Sequence, residues 1–174
     1  MRISFFEEIE DWEKEYFKKE LKDFELQFFD EHLEADNVNL AKESSIISVF
    51  TDSQINQNVL SQLNNLKMIA TRATGFDNID IAKAQKNGVV VCNVPIYGEN
   101  TVAEHTFGLI LNLSRKIYQS IQRVREKGFI PESLKGFDLK GKTLGIIGTG
   151  HIGSHVARIA RGFEMNVLAF DVNQ

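Results

Sequence analysis

Three glycines carry the clearest chemistry in this sequence. The stretch "GIIGTGHIG" (145–153) spaces Gly148, Gly150 and Gly153 as G-x-G-x-x-G. An apolar run, "TLGIIG" (143–148), leads in, and an amphipathic run from Ile152 to Gly162 leads out. In a strand–turn–helix unit the first glycine permits a tight turn, the second lets a pyrophosphate approach the backbone, and the third lets helix and strand pack closely. The amides of His151 and Ile152 would then face the phosphates at the helix N-terminus. Asp171 closes the next apolar run, "NVLAFD" (166–171), where a carboxylate accepts hydrogen bonds from ribose hydroxyls and repels a 2′-phosphate. The expected cofactor is NAD rather than NADP. The plainer alternative is a glycine turn in an ordinary βαβ unit; the flanking elements and the terminal acid favour the cofactor site.

A second phosphate-loop pattern is a decoy. Gly136-Phe-Asp-Leu-Lys-Gly141-Lys142-Thr143 satisfies G-x-x-x-x-G-K-[ST]. That loop works only when a strand enters and a helix leaves, so that amides and lysine surround the phosphates. Here a loop enters and a strand leaves.

The surrounding elements alternate. Strands are expected at "RISFF" (2–6), "FELQFF" (24–29), "SIISVF" (45–50), "KMIAT" (67–71) and "VVVCNV" (89–94). Helices are expected from a stripe of Ile9, Trp12, Tyr16 and Leu21, at "VLSQL" (59–63) and at "IDIAKAQKNG" (79–88), the last closed by Asn87-Gly88. Nearly continuous apolar strands separated by helices indicate an α/β parallel sheet covered on both faces. One long helix is expected from about Thr101 to Lys127, opened by a Thr101–Glu104 capping box. The stretch 127–142, with several glycines and Pro131, is by composition the best boundary.

The totals exclude several classes. The chain has 174 residues, a net charge of −4, 43% hydrophobic and 25% charged residues. That composition is ordinary for a soluble globular protein, with no basic arm for nucleic acid and no apolar run long enough for a bilayer. Cys92 is the only cysteine, so no intrachain disulfide forms, and a reducing, cytoplasmic setting is expected.

Three segments in order, "RATGFDNIDIAKAQKNGVVVCNVP" (72–95), "YGENTVAEHTFGLIL" (97–111) and "LKGKTLGIIGTGHIGSHVARIARGFEMNVLAFD" (139–171), resemble the D-isomer-specific 2-hydroxyacid dehydrogenases, most closely their D-lactate dehydrogenase branch. The resemblance implies a flavodoxin-like substrate domain over 1–98, then over 99–174 a hinge and dimer helix with the first βαβ unit of a Rossmann-type NAD-binding domain. It implies that Thr74 and Gly75 offer amides to a substrate carboxylate, with Tyr97 beside it. Val102 would pack near the nicotinamide and Thr106 would make a polar contact there. The substrate would be a small 2-keto or 2-hydroxy acid, and the helix 101–127 would pair two chains in a homodimer. The family's catalytic arginine, glutamate and histidine would lie beyond Asp171, so no catalytic residue is expected in this chain. Alone it should be inactive, and its unpaired strand edge and apolar helix face should associate. The same resemblance admits a non-catalytic NAD-sensing module of the corepressor type.

Individual side chains have plainer readings. His105 reads as a structural histidine, His151 as a contributor of its amide rather than its ring, and His155 as solvated. Arg72 either faces a cleft or pairs with a nearby aspartate. Asp77 and Asp80 fix a loop and cap a helix. Cys92 reads as a buried thiol among valines. Glu7, Glu8, Glu10, Asp11 and Glu13 read as a solvated helix face.

Overall fold

The computed structural model of the chain describes residues 1–129 and 134–172. The centre of the 127–142 boundary segment therefore lies outside the described residues. The chain divides into two compact units, Met1–Tyr97 and Gly98–Gln174.

The first unit is a five-stranded, all-parallel sheet. Its strands are β1 (Arg2–Phe5), β2 (Glu25–Phe28), β3 (Ile46–Val49), β4 (Met68–Thr71) and β5 (Val90–Cys92), in the order β2-β1-β3-β4-β5. That is the flavodoxin-like order, whose ligand crevice lies outside the carboxyl ends of the strands. Alternation along β1 sends Ile3 and Phe5 to one face, with Ile9, Phe17 and Leu21, and Phe6 to the other, with Leu33, Ile47, Val49, Val59 and Ile69. Much of the phenylalanine bias is spent here. The register pairs Phe5 with Phe28, and their rings stack at 4.9 Å.

Helix α1 (Asp11–Glu20) corrects the expected apolar stripe: Trp12 and Tyr16 are exposed, while Phe17 and Leu21 meet the sheet. The chain reaches α1 through Glu10, which forms a capping box with Glu13, so the helix phase is set from there. Helix α2 (Gln57–Leu60) is capped by Asn56, and α3 (Ile81–Lys86) by Asp80. Gly88, at φ +71°, closes α3, with Val89 N–H donating to the Ala84 carbonyl.

In the second unit, the single long helix is two. Helix α4 (Glu99–Arg115) and α5 (Ile117–Lys127) break at Lys116, whose φ is +57°. The cause is local. The Ser114 carbonyl accepts from Phe137 N–H instead of from the next turn, and Tyr118 N–H donates to the Asn112 side chain. Gly136 allows this approach, since a Cβ there would sit 2.0 Å from the Ser114 oxygen. The expected Thr101 capping box is also absent. The helix begins two residues earlier, with Gly98 as N-cap, so Thr101 lies inside its first turn.

Strands β6 (Thr143–Ile147) and β7 (Asn166–Phe170) pair in parallel, joined by α6 (His151–Gly162), as the first βαβ unit of a Rossmann-type domain. Ala103 and Phe107 of α4 share a core with Ile146, Val156 and Ala160. Phe107 stacks on Phe163 at 5.3 Å. The decoy loop runs into β6 with no helix after it, as its flanks imply. No described helix is long and apolar enough to cross a membrane.

Candidate functional site

The glycine turn of the second unit separates three different needs. Gly148 has φ +91°, a conformation that a Cβ disfavours. At Gly153 an added Cβ would lie 2.0 Å from the Gly148 carbonyl oxygen, so this glycine is required by helix–strand contact. Gly150 is different. Its φ is −62°, and an added Cβ would meet nothing within 4 Å. Neither backbone strain nor packing demands a glycine there. In a G-x-G-x-x-G turn this second position is the one at which a pyrophosphate approaches the backbone.

The turn also leaves donors available. Gly150 is the N-cap of α6 without a side chain to cap it, and the first amides of a helix have no partner within the helix. His151 and Ile152, which carry those amides, are exposed. Asp171 follows β7 directly. One of its carboxylate oxygens accepts from both the amide and the hydroxyl of Thr149, which pins the acid to the turn. Ser154 Oγ donates to the Thr149 carbonyl at 2.7 Å. An acid fixed beside an uncapped helix N-terminus suits a dinucleotide, with phosphates at the amides and ribose at the carboxylate. Among the described residues no group of three His, Cys, Asp or Glu could hold a metal ion.

In the first unit, the loop after β4 carries Thr74 and Gly75, both exposed. It is tied to the segment after β5. Thr74 Oγ donates to the Val94 carbonyl, Asn93 Nδ2 donates to the Thr74 carbonyl, and Val94 N–H donates to the Ala73 carbonyl. Tyr97, at the end of that segment, is 63% exposed. Val102 and Thr106 lie on α4 of the second unit. Val102 is 47% exposed, and the Thr106 hydroxyl donates to the Val102 carbonyl, which leaves only its lone pairs for another partner.

Several side chains depart from their sequence readings. Cys92 is exposed on β5, one of the two edge strands of the sheet. His105 is exposed on α4, and His155 is half-buried, with Arg158 Nη1 3.4 Å from its ring nitrogen. Among the described residues Arg72 pairs with no aspartate. Its guanidinium donates to the Phe6 carbonyl at 2.9 Å, the Glu7 carbonyl at 3.3 Å and Ser48 Oγ at 3.2 Å.

Glu7 departs furthest. It is not on a helix face but buried, 8% exposed, with φ +68°. Its carboxylate accepts from the amides of Phe50 (2.8 Å), Asp52 (3.1 Å) and Ser53 (3.0 Å), and from Ser53 Oγ. Burial pushes its pKa up, but the bonds from Ser53, Asp52 and Phe50 together outweigh burial and hold it below the usual 4.5. Burial lowers the Arg72 pKa, opposed by the charges of Glu7 and Glu13. Asn78 completes the cluster, donating to the carbonyls of Phe50 and Ser53. Composition could not reveal Glu7 among its acidic neighbours. The one available signal was its place directly after a buried strand.

The chain belongs to the D-isomer specific 2-hydroxyacid dehydrogenase family, whose catalytic-domain profile matches residues 3–169. Within that family it is similar to a 2-hydroxyacid dehydrogenase homolog of Haemophilus influenzae, 44% identical over 141 residues, which cover 80% of this chain and 43% of the relative. It is also similar to the D-lactate dehydrogenase of Escherichia coli, 42% identical over 127 residues, 72% of this chain and 39% of the relative. Among solved structures, the D-lactate dehydrogenase of Aquifex aeolicus complexed with NAD and lactic acid superposes with a TM-score of 0.90 at 35% identity. The match covers 99% of this chain and 52% of that one. The chain thus spans about half the length of the proteins it matches.

Proposed function

We propose that these residues are the N-terminal part of an NAD-dependent D-2-hydroxyacid dehydrogenase acting on a small 2-keto acid, with pyruvate and D-lactate as the pair. The glycine turn is the single observation that carries the cofactor half of this reading: Gly148, Gly150 and Gly153 stand in phosphate-binding spacing between β6 and α6, whose N-terminus has no side-chain cap. Asp171, held by Thr149, supports NAD over NADP, since a fixed carboxylate repels a 2′-phosphate. When bound, NAD supplies or accepts the hydride exchanged with C2 of the acid.

The chain's own residues bind and orient. The amides of His151 and Ile152 receive the pyrophosphate, and Val102 and Thr106 flank the nicotinamide. The amides of Thr74 and Gly75 take the substrate carboxylate, with Tyr97 beside it. Proton transfer and the clamp on the substrate carbonyl fall to the family's arginine, glutamate and histidine, which the resemblance assigns to no position of this sequence. These 174 residues therefore bind NADH and do not turn it over. The exposed apolar side chains of α4 and α5, among them Leu113, Ile117 and Ile121, support pairing of two chains in the cytoplasmic enzyme.

Two titrations test the reading. NADH should bind the purified chain more tightly than NADPH, and pyruvate should cause no NADH oxidation. Equal affinity for both cofactors would remove the role of Asp171. Turnover by the chain alone would place the catalytic groups within it.

A further inference from the structure

Two loops leave the carboxyl edge of the first unit's sheet: residues 50–53 after β3, and residues 72–75 after β4. One residue, on neither loop, bonds to both. The Glu7 carboxylate accepts three amides and a hydroxyl from the first. The Glu7 carbonyl, with that of Phe6, accepts the Arg72 guanidinium of the second. The Glu7 backbone is left-handed, a conformation rare outside glycine. In it, carboxylate and carbonyl serve different loops. Arg72 adds a bond to Ser48 Oγ of β3 and lies 6.0 Å over the Phe50 ring.

We infer that Glu7 is a positioning residue that sets the Phe50–Ser53 turn and the Arg72–Gly75 loop together, as one platform for the carboxylate end of the substrate. The inference rests on the proposed placement of the 2-keto acid at Thr74 and Gly75. A carboxylate fits this role better than an amide. It offers acceptors only, and the groups that the Phe50–Ser53 turn presents to it are all donors. In Glu7→Gln, one acceptor oxygen becomes an NH2 group facing those donors.

Two measurements separate the coupling from the substrate reading. The first is amide hydrogen exchange on the 174-residue chain. Glu7→Gln should speed exchange at Phe50, Asp52 and Ser53, and also at Arg72, by at least about tenfold, with Ile47 and Ile69 unchanged; one lost bond of this strength accounts for that factor. Should Glu7→Gln fold poorly, Arg72→Lys asks the same question in reverse. Arg72 bonds to Phe6, Glu7 and Ser48 rather than to Asp52 or Ser53, yet exchange at those two amides should rise. Acceleration confined to residues 50–53 in Glu7→Gln, or to residues 72–75 in Arg72→Lys, overturns the inference. The second is kinetics of the full-length protein that carries this chain. Glu7→Gln should raise KM for pyruvate about tenfold and leave KM for NADH unchanged, a split that general destabilisation would not give. Coupled exchange with an unchanged pyruvate KM would overturn the platform role. Coupled exchange in a wild-type protein that reduces no 2-keto acid would overturn the substrate reading while supporting the loop coupling.

Discussion

The two units offer ligands opposite kinds of surface at the carboxyl ends of their strands. In the second, the turn after β6 is nearly bare backbone, shaped by Gly148, Gly150 and Gly153, with one acid held at its side. In the first, the loops after β3 and β4 are held by side chains: a buried carboxylate, a guanidinium and an amide, from Glu7, Arg72 and Asn78. The difference suits the ligands we propose for each. A pyrophosphate needs several amides at close range, which only glycine permits. A small carboxylate needs few contacts, but those must not drift, so the loops are pinned from behind.

The comparison breaks most visibly at Gly153. In Gly153→Ala the new methyl meets the Gly148 carbonyl at 2.0 Å and its carbon at 3.0 Å, both backbone atoms. We expect a loss of about 3 kcal/mol, seen as a lower Tm. Gly136→Ala creates the same contact with Ser114 and should cost a comparable amount, with spectroscopic loss of helix around the α4–α5 break. A wild-type Tm for both variants would mean that the backbone yields more cheaply than a packed helix allows.

The first unit breaks next, at Glu7. Glu7→Ala leaves three amides of the Phe50–Ser53 turn without their acceptor, at a cost of about 2 kcal/mol after water repairs part of the loss. Urea denaturation measures this directly. Glu8→Ala, one residue on and exposed, should change stability by less than about 0.5 kcal/mol. Equal effects from the two would return Glu7 to the solvated acidic face that its sequence suggests.

How much was legible follows from where the determinants lie in the chain. The five strands of the first unit and the βαβ of the second were readable, because buried parallel strands are apolar runs. The glycine turn was readable because its three demands fall within six residues. The break at Lys116 was not, because its cause is a carbonyl drawn off the helix by Phe137, 23 positions beyond Ser114. A helical stripe carries no trace of a bond made from outside the helix. Glu7 was hidden for the same reason: the partners of its carboxylate lie more than 40 positions away. Cys92 sits among valines, and only strand order makes its strand an edge.

The comparison sharpens at Gly150, where stability and binding should separate. Gly150→Ala adds a methyl with no neighbour within 4 Å and with an ordinary φ, so Tm should hold within about 1 °C. NADH affinity should fall about tenfold, or 1.4 kcal/mol. Gly153→Ala, by contrast, should lose both. If Gly150→Ala binds NADH as the parent does, the glycine is incidental and the cofactor reading loses its main support.

The smallest expected effect is a pH dependence, and its sign is fixed by the lowered pKa of Glu7. A carboxylate held below its ordinary value binds its proton less readily in the folded chain than in the unfolded one. Its contribution to stability is therefore complete above pH 4.5 and is lost as pH falls below that, through the folded-state value. Arg72 stays charged throughout and adds no titration of its own. In Glu7→Gln the same acid limb of the stability curve should be shallower, while stability near neutral pH is lower. Parallel acid limbs in parent and variant would mean that the turn amides do not favour the charged carboxylate over the neutral one. The first unit's loops would then owe nothing to the charge of Glu7, and the contrast with the glycine turn would rest on the bonds of Arg72 and Asn78.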